Sequence, residues 1–180
     1  MSSGKVLLHA CCAPCLTNSI EELIIEGYTP LVYFYNPNIY PDSEYLKRKE
    51  ELILFCQKKG YALILEEGGV DEWYDICAPL AEAKEGGSRC AKCFGIRLEK
   101  TAQVAKEQGF DYFCTTLTIS PHKNSKVINE IGQILAEKYG VEFLEKNFKK
   151  NDGFKKSLVI SAENNLFRQS YCGCEYSQRI

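Results

Sequence analysis

The sequence predicts an α/β fold, a mainly parallel sheet with helices on both faces. Short runs of apolar and aromatic residues alternate with longer segments of helical periodicity, and glycines punctuate the alternation. No stretch is rich enough in Pro, Gly and Ser to separate two units, so residues 1–180 read as a single domain.

The elements follow in order. Lys5 to Ala10 is a strand that runs directly into Cys11-Cys12-Ala13-Pro14-Cys15, and Thr17 to Glu26 is a helix stopped by Gly27. Thr29 to Tyr35 forms a second strand, ended by Asn36-Pro37-Asn38. Asp42 and Ser43 are N-cap candidates for a helix from Glu44 to Lys59, with Gly60 as its stop and a third strand at Tyr61 to Leu65. Asp71 to Ala83 is helical in part, Gly86-Gly87-Ser88 interrupts, and Cys93 to Gln108 is a well-patterned helix closed by Gly109. Phe110 to Thr118 reads as a strand leading to Ser120-Pro121, Ser125 to Tyr139 as a helix ended by Gly140, and Val141 to Phe143 as a last short strand. Beyond Phe154 the periodicity weakens, and this C-terminal segment has to fold back to bring its cysteines to the rest. Ligands of such sheets gather beyond the carboxyl ends of the strands, so the turns at 11–15, 36–39 and 118–121 are expected on one rim.

Composition limits the partners. Lys and Arg number 22 against 24 acids, a formal charge of −2, so a polyanion has to be met by a local patch such as 122–126 or 149–156. No apolar run approaches the roughly 20 residues of a membrane span. The opening Met-Ser-Ser-Gly-Lys has no signal-peptide pattern, and a cytoplasmic location with no membrane partner is expected.

Seven of the ten cysteines fall into three tight clusters, Cys11-Cys12-Ala13-Pro14-Cys15, Cys90-Ala91-Lys92-Cys93 and Cys172-Gly173-Cys174. Without an export signal, metal binding is favoured over a disulfide framework. Thiolate pairs suit either a tetrahedral zinc or a [4Fe–4S] cluster, and spacing alone does not choose. Seven exceed the four that a closed zinc site uses, which points to a second centre or a redox-active pair. Cys56, Cys77 and Cys114 lie inside elements and read as core. His9 is a proton-donor candidate or a packed strand-end histidine, and Asp71 a hard metal ligand or a helix cap. Arg89 and Arg168 stand beside cysteine clusters and could offset thiolate charge. Pro14 argues against a phosphate loop after the first strand, because it removes a backbone N–H. A zinc-stabilised RNA-binding module with purely structural cysteines is the alternative reading.

These motifs resemble one family over nearly the whole chain. They are Leu7-Leu8-His9-Ala10-Cys11-Cys12-Ala13-Pro14-Cys15, Tyr35-Asn36-Pro37-Asn38-Ile39, Gly87-Ser88-Arg89-Cys90-Ala91-Lys92-Cys93, Thr115 to Pro121, and Phe167-Arg168-Gln169-Ser170-Tyr171-Cys172-Gly173-Cys174. The family is QueH, the metal-dependent epoxyqueuosine reductases. The resemblance implies an oxidoreductase that removes the epoxide oxygen of epoxyqueuosine at the wobble position of tRNA. It implies a fold similar to the nucleotide-binding α-hydrolase and ATP-pyrophosphatase group. It also implies a [4Fe–4S] cluster with a second metal nearby, expected to be iron, and an electron donor as a further partner. Turning an epoxide into an alkene takes two electrons and two protons, whereas a cluster ordinarily passes one electron at a time, so a second metal acting as a Lewis acid would help. The expected division puts the cluster on Cys11, Cys12, Cys90 and Cys93 and the second metal near Cys172 and Cys174 with Asp71, leaving Cys15 unassigned. His9 and Asp71 are the catalytic candidates, and Tyr35, Asn36, Asn38, Ser120, Lys123 and Arg168 the expected substrate contacts.

Overall fold

A computed structural model describes residues 3–178. In chain order the elements are β1 (Lys5–His9), α1 (Ala13–Ile25), β2 (Thr29–Phe34), α2 (Asp42–Lys59), β3 (Leu63–Leu65), α3 (Val70–Cys77), α4 (Ser88–Glu107), β4 (Tyr112–Thr115), α5 (Ser125–Tyr139), β5 (Glu142–Phe143) and α6 (Gly153–Glu163). The sheet has the order β3-β2-β1-β4-β5 and every pairing is parallel. The period-two alternation of the strands sends side chains to two cores. Val6, Leu8, Val32 and Phe34 pack with Leu16, Ile20 and Leu23 of α1 and Phe55 of α2. Leu7, Tyr33 and Phe113 pack on the other face with Leu98 and Ala102 of α4 and Ile128 of α5. Burial on both faces explains why these strands read as continuous apolar runs.

Several boundaries differ from the sequence expectation for identifiable reasons. Helix α1 starts at Ala13, so Pro14 lies in its first turn, where a missing N–H costs nothing. Helix α2 is preceded by Pro41, which places Asp42 and Ser43 inside the helix, and Asp42 with Glu44 then complements the positive end of the dipole. Helix α4 starts at Ser88 and so carries both Cys90 and Cys93. Strand β4 stops at Thr115, whose hydroxyl accepts a hydrogen bond from Leu117 N–H and opens a 3₁₀ turn over Thr116–Ile119. Helix α5 matches the expected bounds, capped by the Asn124 side chain.

Helix α6 packs along α1, in a region where the sequence showed little periodicity. After it the chain returns across the carboxyl rim as a strap. Tyr40 N–H donates to Gly173 O at 2.8 Å, and the buried Arg48 donates to Cys172 O (3.0 Å) and Tyr171 O (3.1 Å) while pairing with Glu44 at 2.7 Å. Among the described residues, no helix is long and apolar enough to cross a membrane.

A thiol-rich candidate metal centre

Strand β1 is central, and its neighbours β2 and β4 are followed by connections on opposite sides, which makes the β1/β4 boundary the switch point of the sheet. The first cysteines lie there. Cys12 occupies the N-cap of α1, Cys15 sits in the first helical turn, and the sulfurs of Cys11, Cys12 and Cys15 all fall within 4.8 Å of one another. Hydrogen bonds from the Cys12 and Cys15 thiols hold Cys11 well below the ordinary thiol value. The same bonds push Cys12 up to about 12 and raise Cys15. One sulfur of the three is therefore predisposed to be the thiolate that metals select.

A second group forms around a narrow inner cavity lined by Cys90, Cys93, Cys172 and Cys174 together with Trp73 and Arg97. Cys90, Cys93 and Arg97 recur at helical spacing on one side of α4, so a single helix presents two thiols and a guanidinium. Hydrogen bonding from Cys174, assisted by Ser177, holds Cys172 down at about 4, and Cys174 is raised in return. Cys90 Sγ accepts from Gly86 N–H at 3.1 Å. From the returning C-terminal strap, Gln169 Nε2 donates to Cys12 Sγ at 2.9 Å.

The grouping differs from the expected division. Cys90 and Cys93 face Cys172 and Cys174, and Cys15 completes a set with Cys11 and Cys12, because the strap crosses over the start of α4. Asp71 is not brought to either set. It is exposed on the first turn of α3, and Trp73, two residues on, faces the thiols instead. His9 is fully buried: Nδ1 lies 3.0 Å from Thr115 Oγ1, and Nε2 lies 3.0 Å from Tyr35 O and 3.2 Å from Asn36 Oδ1. Burial, with the positive charge of Arg97, lowers it to about 4. It is a neutral clasp across the ends of β1, β2 and β4, with the proton placed on Nε2 by its two acceptors.

Beside the inner cavity is an outer one of about 220 Å³. It is lined by Cys15, Ser120, Lys123, Arg168, Gln169 and Tyr171 among others, and it shares His122, Lys123 and Cys172 with the inner cavity. Three expected substrate contacts, Ser120, Lys123 and Arg168, thus reach the thiol site. Asn36 and Asn38 instead line a separate groove with Tyr40 and Tyr45, and Asn36 is occupied in part by a bond from its Nδ2 to Ala10 O. Tyr35 is buried, stacked on Tyr33 with its hydroxyl over Gly69. Arg168 is exposed over the Phe154 ring, while Arg89 is spent on the carbonyls of Leu80, Ala81 and Ala83. Cys56, Cys77 and Cys114 are buried, and all ten cysteines are free.

Three residues of the site were not assigned a role from sequence: Arg48, Arg97 and Gln169. Arg97 had a local signal, since it lies four residues after Cys93 on a predicted helix. The roles of Arg48 and Gln169 depend on contacts more than 120 positions away.

Residues 6–180 match the family model described as epoxyqueuosine reductase QueH. The chain belongs to this family. A relative from Streptococcus pyogenes serotype M1 named epoxyqueuosine reductase QueH is 42% identical over 182 residues, covering 98% of this chain and 71% of its own. One of the same name from Thermotoga maritima is 39% identical over 177 residues, covering 97% of this chain and 90% of its own. Among solved structures, a predicted subunit of tRNA methyltransferase from Methanocaldococcus jannaschii aligns with TM-score 0.59 and 14% identity over 88% of this chain and 75% of its own. The U34-tRNA thiolase NcsA from Methanococcus maripaludis, described with its [4Fe–4S] cluster, aligns with TM-score 0.55 and 14% identity, covering 99% of this chain and 63% of its own. These two establish the likeness of fold. The QueH-family chain is an oxidoreductase, and its donor set, soft sulfur throughout, fits a thiolate-held metal cofactor.

Proposed function

We propose that the protein reduces the epoxide of epoxyqueuosine in tRNA to the alkene of queuosine. Epoxide, two electrons and two protons give alkene and one water. The observation that carries this reading is the convergence of seven thiols from segments at the start, middle and end of the chain: five of them line two adjoining cavities, and Cys11 and Cys12 lie against the fifth, Cys15. Membership of the QueH family supports the substrate, and a tRNA substrate implies a cytoplasmic enzyme served by a reductant partner.

The inner set, Cys90, Cys93, Cys172 and Cys174, supplies the four thiolates that a [4Fe–4S] cluster takes. The triad Cys11, Cys12 and Cys15 supplies three, which leaves a mononuclear metal, iron in this reading, one open position. When bound, the two groups would supply electrons and a Lewis acid respectively. The protein's own part is to orient and to charge. At about 220 Å³ the outer cavity is smaller than the roughly 300–1,000 Å³ of drug-sized ligand sites, so it suits one ring of the substrate, not a whole nucleoside. Lys123 lines both cavities, so its Nζ serves as proton donor to the epoxide oxygen as the C–O bond opens. Arg168 at the outer wall, with Lys149 beside Lys123, offers cations to the flanking phosphates.

Anaerobic purification with iron, zinc and sulfide analysis, followed by single Cys→Ala replacements, tests this. The reading predicts a brown protein. Replacing Cys90, Cys93, Cys172 or Cys174 removes sulfide with iron, whereas replacing Cys11, Cys12 or Cys15 removes iron and spares most sulfide. A colourless protein holding only zinc would replace the reductase with a zinc-stabilised RNA-binding module.

A further inference from the structure

Arg97 is a buried cation with no carboxylate. It is 3% exposed and lines the inner cavity, and none of the ion pairs among the described residues includes it. Its hydrogen bond within the protein, Nε to Cys93 O, is long at 3.4 Å. The other two buried arginines are provided for: Arg48 has Glu44 and two carbonyls, and Arg89 has three carbonyls. Burial works against its charge, and the groups whose ionised form would favour it are sulfurs of all three clusters, Cys93, Cys11 and Cys172. A buried charge without a partner is strongly disfavoured, so an arginine kept here is matched to negative charge at the sulfurs. Arginine suits the task because it does not give up its proton.

We propose that Arg97 is the fixed counter-cation of the thiol site, a positioning residue that balances the charge thiolates acquire on holding metal and raises the reduction potential of the centre they hold. This rests on the iron–sulfur reading above. Each electron added makes such a centre one charge more negative, and a guanidinium in the wall of the cavity that the inner set lines favours that state. Because Arg97 touches all three cysteine clusters electrostatically, its charge also favours their assembly on metal.

The test compares wild type, Arg97→Lys and Arg97→Met in two measurements. The first is the midpoint potential of the iron-reconstituted protein, followed by spectroscopy. Arg97→Met is expected to lower the reduced-to-oxidised ratio at fixed potential at least tenfold, a shift of about 59 mV for a one-electron centre, with Arg97→Lys moving less than half as far. The second is thermal unfolding of the full-length metal-free chain. There Arg97→Met should melt no lower than wild type, since an apolar residue replaces a buried charge. If Arg97→Met fails to retain the centre while Arg97→Lys retains it, the charge role stands. An unchanged potential in Arg97→Met, a metal-free Arg97→Met chain melting well below wild type, or loss of the centre in both variants overturns it in favour of packing. Failure of the iron–sulfur reading shows separately, as a wild-type protein with no iron and no potential to measure.

Discussion

Each strand that ends at the rim hands the chain to a side chain whose bonding decides what the next residues can do. His9 is the clearest case, because its ring joins Thr115, Tyr35 and Asn36 directly before the cysteines. Replacing His9 with Ala removes three hydrogen bonds from buried groups and leaves a hole, and should cost on the order of 3 kcal/mol in urea unfolding. A His9→Ala protein of full stability and full metal content that had lost activity would instead make it a proton donor. Cys56 and Cys114 show what the other thiols are not. Burial pushes each up to about 12, so both stay protonated where Cys11 and Cys172, held down by neighbouring thiols, ionise. The unfolded thiol ionises near pH 9 and the folded one near 12, so their contribution to stability is complete below about pH 9 and is lost as the pH rises to 12. In the native protein at pH 8 an alkylating reagent should leave both unmodified, and should modify them readily after denaturation. The cysteine clusters were legible in sequence because the residue type itself carries the chemistry. Arg48 and Gln169 were not, because their roles come from what folding sets beside them.

Element by element, the sequence was read best where local signals and packing agree. Helix α5 has an Asn124 cap, an apolar stripe and Gly140 at φ 64°, and its bounds were legible throughout. Helix α6 was missed for a physical reason: its buried face is Gly153, Ser157 and Ser161, so it meets α1 through small residues and shows no apolar stripe. The starts of α1 and α4 were placed late, because cysteines and Pro14 in their first turns resemble loop sequence. The strap after α6 is held less by its own sequence than by α2. A Cβ at Gly173, whose φ is +128°, would lie 2.9 Å from Arg48 Nη1, so Gly173→Ala should strain the same clamp that Arg48→Met removes. Both substitutions should increase hydrogen exchange across residues 168–178 and reduce bound iron, and Arg48→Met should cost about 3 kcal/mol. Unchanged exchange in both would show that the strap is held by other contacts.

At the scale of the molecule, the alternation of strands and helices made the parallel sheet legible, and the rule that ligands collect at its carboxyl rim located the first cysteines. The division of the seven thiols was not legible. It depends on which end of α4 the strap crosses, a packing outcome of the α1–α6 pair and of Arg48 rather than of any motif. Folding thus closes two long loops to bring together Cys11–Cys15, Cys90–Cys93 and Cys172–Cys174, and a metal bound there would stabilise the fold that assembled it. The most direct measurement is single-turnover mass analysis of an anticodon stem-loop carrying epoxyqueuosine, mixed without air with the iron-loaded, chemically reduced protein. Loss of one oxygen atom from the modified nucleoside is the predicted result, and full tRNA should react at a similar rate, because the outer cavity takes only one ring and its cations only nearby phosphates. A substrate of unchanged mass, with a protein that is fully iron-loaded and reduced, would contradict the account.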